Sequence, residues 1–561
     1  MNQSRTGLTW SLIVIVGLLT LCPVLMLLLG SFSQGLTAFG HFTVAKYVSA
    51  YTDPYLLKVI GNTIIFVLGS TLLATLLALV LAYLNTRTNI PCKPMFTVLS
   101  IVPMMIPHLL FAVSWALLLN PSNGLLNLFL KDALGRHGAP FNIYSLEGMI
   151  LVEGLLNMPI AYLIIAPAMA SFDVALEESS RVSGAGVWRT LFRVTLPVLR
   201  PAILSAFVLG IVRSLASYAV PRVLGMPGRV DVLATYLYEM IATGFAPDYG
   251  KAAALGMSVL AASIGLIVLY RALTAEGGKF VTISGRGYRP SVIDLKRART
   301  PLFIAIGVLS FLMAVLPVAV LFYTSLVPYS MVPSAHAFSM MSWKHWAEVL
   351  QDPASMLALR HSVFLAIVGA TLGVLLSIFI AYVIVKIRTR AAGLLESLSF
   401  LSFSFPGIVI GIGFMWFFVQ TPLYASLTAL LVAYIATYLP YGVRPLASAF
   451  VQVHAHLEES SQVCGASALT TMRRIIVPLL VPGIVSAWIL MATMFVRELT
   501  VSVVLSRPGS EVLAVQILNF ADDGLWGKLS ALGIVMILIS TGLVLLATYA
   551  GTRFRAARGD S

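Results

Sequence analysis

Two stretches decide the fold: EESSRVSGAGVWRTLFRVTLPVLRPAI, from Glu177 to Ile203, and EESSQVCGASALTTMRRIIVPLLVPGI, from Glu458 to Ile484. About half their positions are identical without a gap, and each sits in a polar interval between long apolar runs. The first copy parses as two short helices. Asp173 is placed to cap the opening helix, which carries Glu177 and Glu178 and ends at Gly184, a residue suited to a left-handed C-cap. The next has Trp188, Leu191 and Phe192 at helical spacing, an apolar stripe. Pro197 is expected to stop that helix and start a membrane span. In the other copy Glu458, Glu459, Gly465, Leu469, Met472 and Pro478 take the same places. An acidic head, a tight glycine and an apolar stripe make a loop shaped to dock into something. Helices lying flat on lipid headgroups would explain the stripe and the arginines. They would not explain why head, glycine and both prolines recur in one register.

Outward from these loops the chain is apolar. Of its 561 residues 59% are hydrophobic and 10% charged, and the mean hydropathy is +0.94. Soluble domains carry about 25% charged residues, so the composition excludes an ordinary globular enzyme, a disordered chain and a nucleic-acid-binding protein. It points to an all-α polytopic membrane protein. The runs have the length of membrane helices, about 20 residues, and not the ten-residue alternation of a barrel. They are Trp10 to Gly30, Leu57 to Leu84, Phe96 to Leu119, Met149 to Met169, Leu199 to Leu224 and Ala252 to Leu273. They resume at Pro301 to Leu326, Val363 to Val385, Leu398 to Val419, Ser426 to Ala449, Gly483 to Leu505 and Leu529 to Ala550. The expectation is about twelve transmembrane helices, six and six. Arg5 before the first run would also fit a cleaved signal, but the run is long for one and no small-x-small site follows it cleanly. Cys22, Cys92 and Cys464 form no disulfide framework and have no metal-ligand spacing.

The break at 275–300 holds Lys279, Arg286, Arg289, Lys296, Arg297 and Arg299 against only Glu276 and Asp294. The positive-inside rule makes it cytoplasmic. Alternation from there puts both termini and both docking loops inside, and about twice as many of the 36 Lys and Arg fall inside as outside. The halves, 1–274 and 301–561, are repeats: Lys46-Tyr47 through Asp53-Pro54 to Ala82-Tyr83 matches His345-Trp346 through Asp352-Pro353 to Ala381-Tyr382. An even number of spans per half makes the repeats parallel, related by a pseudo-twofold axis along the membrane normal.

The spacing Glu178-Ser179-Ser180, Gly184, Val194-x-Leu196-Pro197 resembles the EAA loop of ATP-binding-cassette import permeases, and Glu459-Ser460-Ser461, Gly465, Ile475-x-Val477-Pro478 repeats it. Serines replace both alanines of that motif, and valine replaces leucine before the second proline. The resemblance spans the chain and implies a type I importer fold with EAA loops at 173–203 and 454–484. It implies that Glu177, Glu178, Gly184, Trp188, Leu191, Phe192 and Pro197, with Glu458, Glu459, Gly465, Leu469, Met472 and Pro478, couple to the ATPase. Two loops imply a fused permease seating two copies of a cytoplasmic ATPase, supplied by a periplasmic or lipid-anchored solute-binding protein. The chain itself is then no enzyme, binds no cofactor or metal, and leaves ATP and magnesium to its partner. Consistent with that, its Gly-Lys pairs at Gly250, Gly278 and Gly527 are followed by Ala252, Phe280 and Leu529, where a phosphate-binding loop needs Ser or Thr.

Ionisable groups inside spans cost about 2.5 to 3.5 kcal/mol each on insertion scales and are functional candidates by default. Arg497 and Glu498 adjoin in the eleventh run, with Ser217 in register with Glu498 and Met494 with Arg213. On this reading the halves are unlike there. Glu498, Arg497 and Ser217 are expected to face or brace a central translocation pathway, the alternative being an inter-helix brace. Arg444 is a further candidate for solute contact or carboxylate pairing, Glu153 a weaker one, and His108 is expected as a hydrogen-bonded interior residue. The solute is not legible. The fused architecture and the segment Gly278 to Pro290 are similar to ferric-iron importer permeases, while relatives for thiamine, phosphonates, polyamines or sulfate share the loop. A secondary transporter of the major facilitator type also has six plus six spans, but its Gly-x-x-x-Asp-Arg loop is missing between Asn85 and Pro94. A receptor or scaffold would need neither buried charges nor paired docking loops.

Overall fold

The computed structural model describes residues 2–34, 41–135, 138–242, 247–275, 292–387 and 389–557. The linker segment Gly278 to Pro290, with Lys279, Arg286 and Arg289, lies outside them. Among the described residues the elements are helices, joined by two isolated bridges, Ser33 to Phe42 and Thr88 to Ile293. Among the described residues ten helices are long and apolar enough to cross a membrane, or up to twelve if each of two bent pairs is one span.

The repeat is visible in how helices begin. In the first repeat Asp53 caps the helix Pro54–Arg87 through the Tyr55 amide at 3.0 Å. In the second, Asp352 caps Pro353–Phe364 through the Ser355 amide at 3.0 Å. Both put proline at the first helical position, where no N–H partner is needed. The fourth spans start likewise: Ser145 accepts from the Gly148 amide and Ser426 from the Ala429 amide.

Two expectations change. The third apolar run of each repeat is not one straight span. Lys93–Met105 and His108–Leu119 meet at 101°, and Arg390–Phe403 and Gly407–Phe418 at 107°. Pro107 and Pro406 stand at the corners, and the residue before a proline is driven out of helical geometry: Ile106 and Phe405 are extended. The fifth run is also broken. Leu196–Leu215 ends before Ala216, Ser217 and Tyr218, and helical turns resume up to Gly225. In the second repeat Val477–Val496 ends before Arg497, Glu498 and Leu499, and Thr500–Leu505 resumes. The breaks fall in one register.

The compact units are not the repeats. One comprises Met1–Thr52, Leu237–Leu260 and Trp346–Ser561; the other comprises Asp53–Tyr236 and Ala261–His345. Each therefore takes most of one repeat and the leading helix of the other. In the first unit Gly30 of the opening helix lies against the Trp416 indole, so a larger side chain has no room there. In the second, Phe303 from the leading helix of the second repeat packs edge-on to Phe96 at 5.5 Å. That unit centres on Pro54–Arg87 packed along Leu146–Ser171, with Gly154 set against Leu73 so that the two backbones approach closely.

Candidate functional site

The first docking loop is built as its residues suggest. Asp173 accepts from the Ala175 amide at 2.9 Å and caps Val174–Val182. Gly184 has φ +83°, and the chain turns back through Ala185 N–H to Ser180 C=O at 3.1 Å, a bond that closes the helix end. The second loop repeats it, with Gly465 at φ +80° and Ala466 N–H to Ser461 C=O at 3.0 Å. A side-chain clasp joins the two short helices of each loop: Ser180 to Thr190 at 3.0 Å and Ser461 to Thr471 at 2.8 Å.

Pro197 and Pro478 do not stop the second helix. Leu191–Thr195 is a π-turn whose closing bond runs from Leu196 N–H to Leu191 C=O, and Met472–Ile476 is another, closed by Val477 N–H on Met472 C=O. A proline in a helix lacks a donor and crowds the carbonyl four residues back. The wider turn takes up the extra residue, so Val187–Leu215 runs on as one 29-residue helix. The docking stripe and the fifth span are thus a single rod in the first repeat.

The two glutamates of each head part ways. Glu177 is buried, not presented outward. Its Oε1 accepts from Thr195 Oγ1 at 2.7 Å, and Arg87 Nε lies 3.6 Å from its Oε2. Arg87 also donates to the Phe172 carbonyl at 3.2 Å and stacks over that ring at 5.2 Å. Glu458 is held the same way. Lys386 Nζ is 2.8 Å from Glu458 Oε1 and donates to the Val453 carbonyl at 2.9 Å. Arg87 and Lys386 stand in one register at the end of the second spans, four residues past the Ala-Tyr pairs. That shared register is the signal by which the sequence marks them. Glu177 and Glu458 therefore anchor the loop to its own repeat, while Glu178 is half-buried and Glu459 exposed. Glu459 has His456 Nδ1 at 3.3 Å.

The apolar surface of the first loop is open. Trp188 is 72% exposed and Phe192 62%, and their rings stack at 6.3 Å. Val182 and Val463 are exposed at matching positions. In the second loop Arg473 takes the place of Phe192 and is exposed, Met472 is half-buried, and the side chain of Leu469 lies outside the described ones. Leu191 is half-buried.

Deeper in each repeat the expected inequality of the halves does not hold. Ser217 donates to Glu153 Oε2 at 2.7 Å, and Asn157 donates to Glu153 Oε1 at 2.9 Å. In the second repeat Tyr438 donates to Glu498 Oε2, while Val501 N–H donates to Glu498 Oε1 at 2.6 Å. Tyr438 is in register with Asn157, and Tyr434 with Glu153. Each half thus has one buried carboxylate at the break, supplied from opposite helices. Matching the repeats position by position misses this, because the charge has crossed to the facing helix. Glu153 is 2% exposed and Glu498 5%, so both are spent within their own unit. Each half also carries an arginine nearby. Arg213 donates to Asn157 Oδ1 at 3.1 Å and lies 3.3 Å from His108 Nε2, and Arg497 lies 3.4 Å from the Met494 sulfur. Arg444 is exposed on Leu427–Val451 and takes no part in this cluster. Among the described residues no three His, Cys, Asp or Glu side chains are grouped to hold a metal ion.

The chain belongs to the family described as "Binding-protein-dependent transport system inner membrane component", which matches residues 70–276 and 373–556. It is 28% identical over 96% of its length to the ferric transport system permease protein FbpB of Actinobacillus pleuropneumoniae, covering 77% of that protein. It is 23% identical to the Fe(3+)-transport system permease protein FbpB 2 of Haemophilus influenzae, covering 94% of this chain and 95% of that one. The spermidine/putrescine permease PotC of the same organism is 27% identical over 37% of this chain and 80% of its own. A solved bacterial ABC transporter that imports alginate shares 20% identity, with a TM-score of 0.37 over 47% of this chain and 92% of that one. Family membership favours the importer permease over the secondary transporter.

Proposed function

We propose that this chain is the permease of an ATP-driven importer that passes ferric iron, received from a periplasmic or lipid-anchored binding protein, into the cytoplasm. Both termini and both docking loops then face the cytoplasm. The loops seat two copies of an ATPase subunit, which bind the ATP and magnesium. The reading rests chiefly on the relatives matched over nearly the whole chain, whose names specify ferric transport. Exposed apolar side chains support docking at the loops: Trp188 and Phe192 stand exposed in the same loop as the acidic head. Aromatic side chains that become desolvated on docking carry a large share of the binding energy in many interfaces. Gly278 to Pro290 of the linker, similar in sequence to ferric permeases, supports the same solute.

The test is reconstitution of the chain with its ATPase and binding protein in liposomes. Ferric iron is expected to accumulate only when ATP and the loaded binding protein are both present. Accumulation of spermidine in place of iron would replace the solute. Transport by the chain alone down a proton gradient would overturn the importer reading.

A further inference from the structure

The two breaks in the fifth spans share a register, and each is tied to the fourth span by one hydroxyl-to-carboxylate hydrogen bond. The polarity of the tie is reversed between repeats. In the first, the carboxylate of Glu153 is on the fourth span and the hydroxyl of Ser217 at the break. In the second, the hydroxyl of Tyr438 is on the fourth span and the carboxylate of Glu498 at the break. A carboxylate that met solute or carried protons would be needed at one place with an open face. Here it has changed helices and is buried in both, with its other oxygen also occupied. What both repeats keep is the tie.

Each tie stands at the far end of the helix that begins in the docking loop. Val187–Leu215 has 29 residues and so rises about 43 Å from docking stripe to break. The second repeat has the same arrangement, from Met472 to Val496. Displacement of a docking loop would reach the break with little loss along such a rod. At the break the chain leaves helical geometry, so the outer turns, Pro221–Gly225 or Thr500–Leu505, follow the rod only through their packing and side-chain bonds, which in the second repeat also include Tyr434 with Ser502 at 2.6 Å. We propose that Glu153 with Ser217, and Glu498 with Tyr438, are positioning latches: they hold the break against the fourth span so that movement at the docking loop is delivered to the outer half of the permease. The proposal rests on the docking of ATPase at the two loops. It replaces a solute-contacting role for Glu498 and Ser217.

The test uses the full assembly of permease, ATPase and binding protein in liposomes, with ATP hydrolysed and iron accumulated measured together. Ser217→Ala and Tyr438→Phe each remove one hydroxyl and leave both carboxylates. Iron moved per ATP is expected to fall about tenfold, the equilibrium weight of one hydrogen bond to a charged group, with ATPase recovery on pull-down unchanged. A reversed first latch, E153Q/S217E, gives the first repeat the polarity of the second and is expected to transport near the wild-type ratio. S217E alone, which opposes two carboxylates, is expected to fail. Normal coupling in the two hydroxyl-less variants would overturn the latch. So would an assembled E153Q/S217E complex that hydrolyses ATP without moving iron, since carboxylate position would then matter. Failure of the unaltered chain to retain ATPase would instead overturn the docking reading, and with it the basis of the latch.

Discussion

Arg87 and Lys386 show how a single basic side chain can fix a loop. Each reaches both a glutamate of the docking loop that follows two spans later and the backbone carbonyl just before that loop. The Arg87 pair is the more buried, with side-chain exposures of 4% and 8% against 13% and 12%. Removing one member of a buried pair strands the other charge, at about 3 to 5 kcal/mol. Arg87→Met is therefore expected to destabilise the purified chain by that order, read as a lower unfolding temperature, and Lys386→Met by less. Arg87→Lys keeps the charge and should recover most of the loss. Glu178 is only half-buried: Glu178→Lys should cost less thermal stability than Glu177→Gln and reduce ATPase recovery on pull-down. Equal thermal losses for Glu177→Gln and Glu178→Lys would remove the distinction between the buried and the half-buried glutamate.

At the scale of elements, the docking helix and the fifth span form one continuous helix because a π-turn absorbs the proline. Pro197→Ala is accordingly expected to change stability by less than about 1 kcal/mol, since the helix it sits in is already uninterrupted and alanine suits a helix interior. A helix that needed Pro197 as its stop would lengthen or re-register, and uptake would fall. Gly184 is the opposite case. A Cβ there meets nothing within 4 Å, but the φ of +83° strains any branched side chain, by about 1 to 3 kcal/mol. Gly184→Val should therefore distort the turn between the two short helices and lose ATPase on pull-down while the chain still inserts. The same change at Gly465 should do likewise. Because Phe192 is matched by Arg473, Trp188→Ala is expected to weaken ATPase recovery more than Leu469→Ala.

At the scale of the whole molecule, each compact unit is completed by the leading helix of the other repeat. Gly30 against Trp416 and Phe303 against Phe96 are contacts of those visiting helices. A chain divided between residues 276 and 291 is expected to yield two fragments that are scarce when made singly. Made together, they should co-purify and restore iron uptake. Stable, separately abundant halves would mean that the leading helices contribute little to the units that hold them.

Apolar runs of membrane length settle on their own that the backbone must close its hydrogen bonds within helices, so the sequence by itself determines the approximate span count and the two repeats. It determines the docking loops as well, because capping residues, Gly184 and Gly465 act over a few residues, and local geometry follows local sequence. The prolines mislead only in part: Pro107 and Pro406 turn the chain as prolines do, whereas Pro197 and Pro478 are accommodated by a turn that forms only once the helix continues on both sides. The tertiary structure alone decided where the charges go. Glu177 reads as an outward acid until Arg87, far away in the chain, is found covering it. Glu498 reads as one member of an isolated charge pair with Arg497 until Tyr438 meets it from the fourth span, while Glu153 serves the first repeat from the facing helix. A buried charge is stable only with its partner, and partners brought together across helices leave no mark in the spacing of either one.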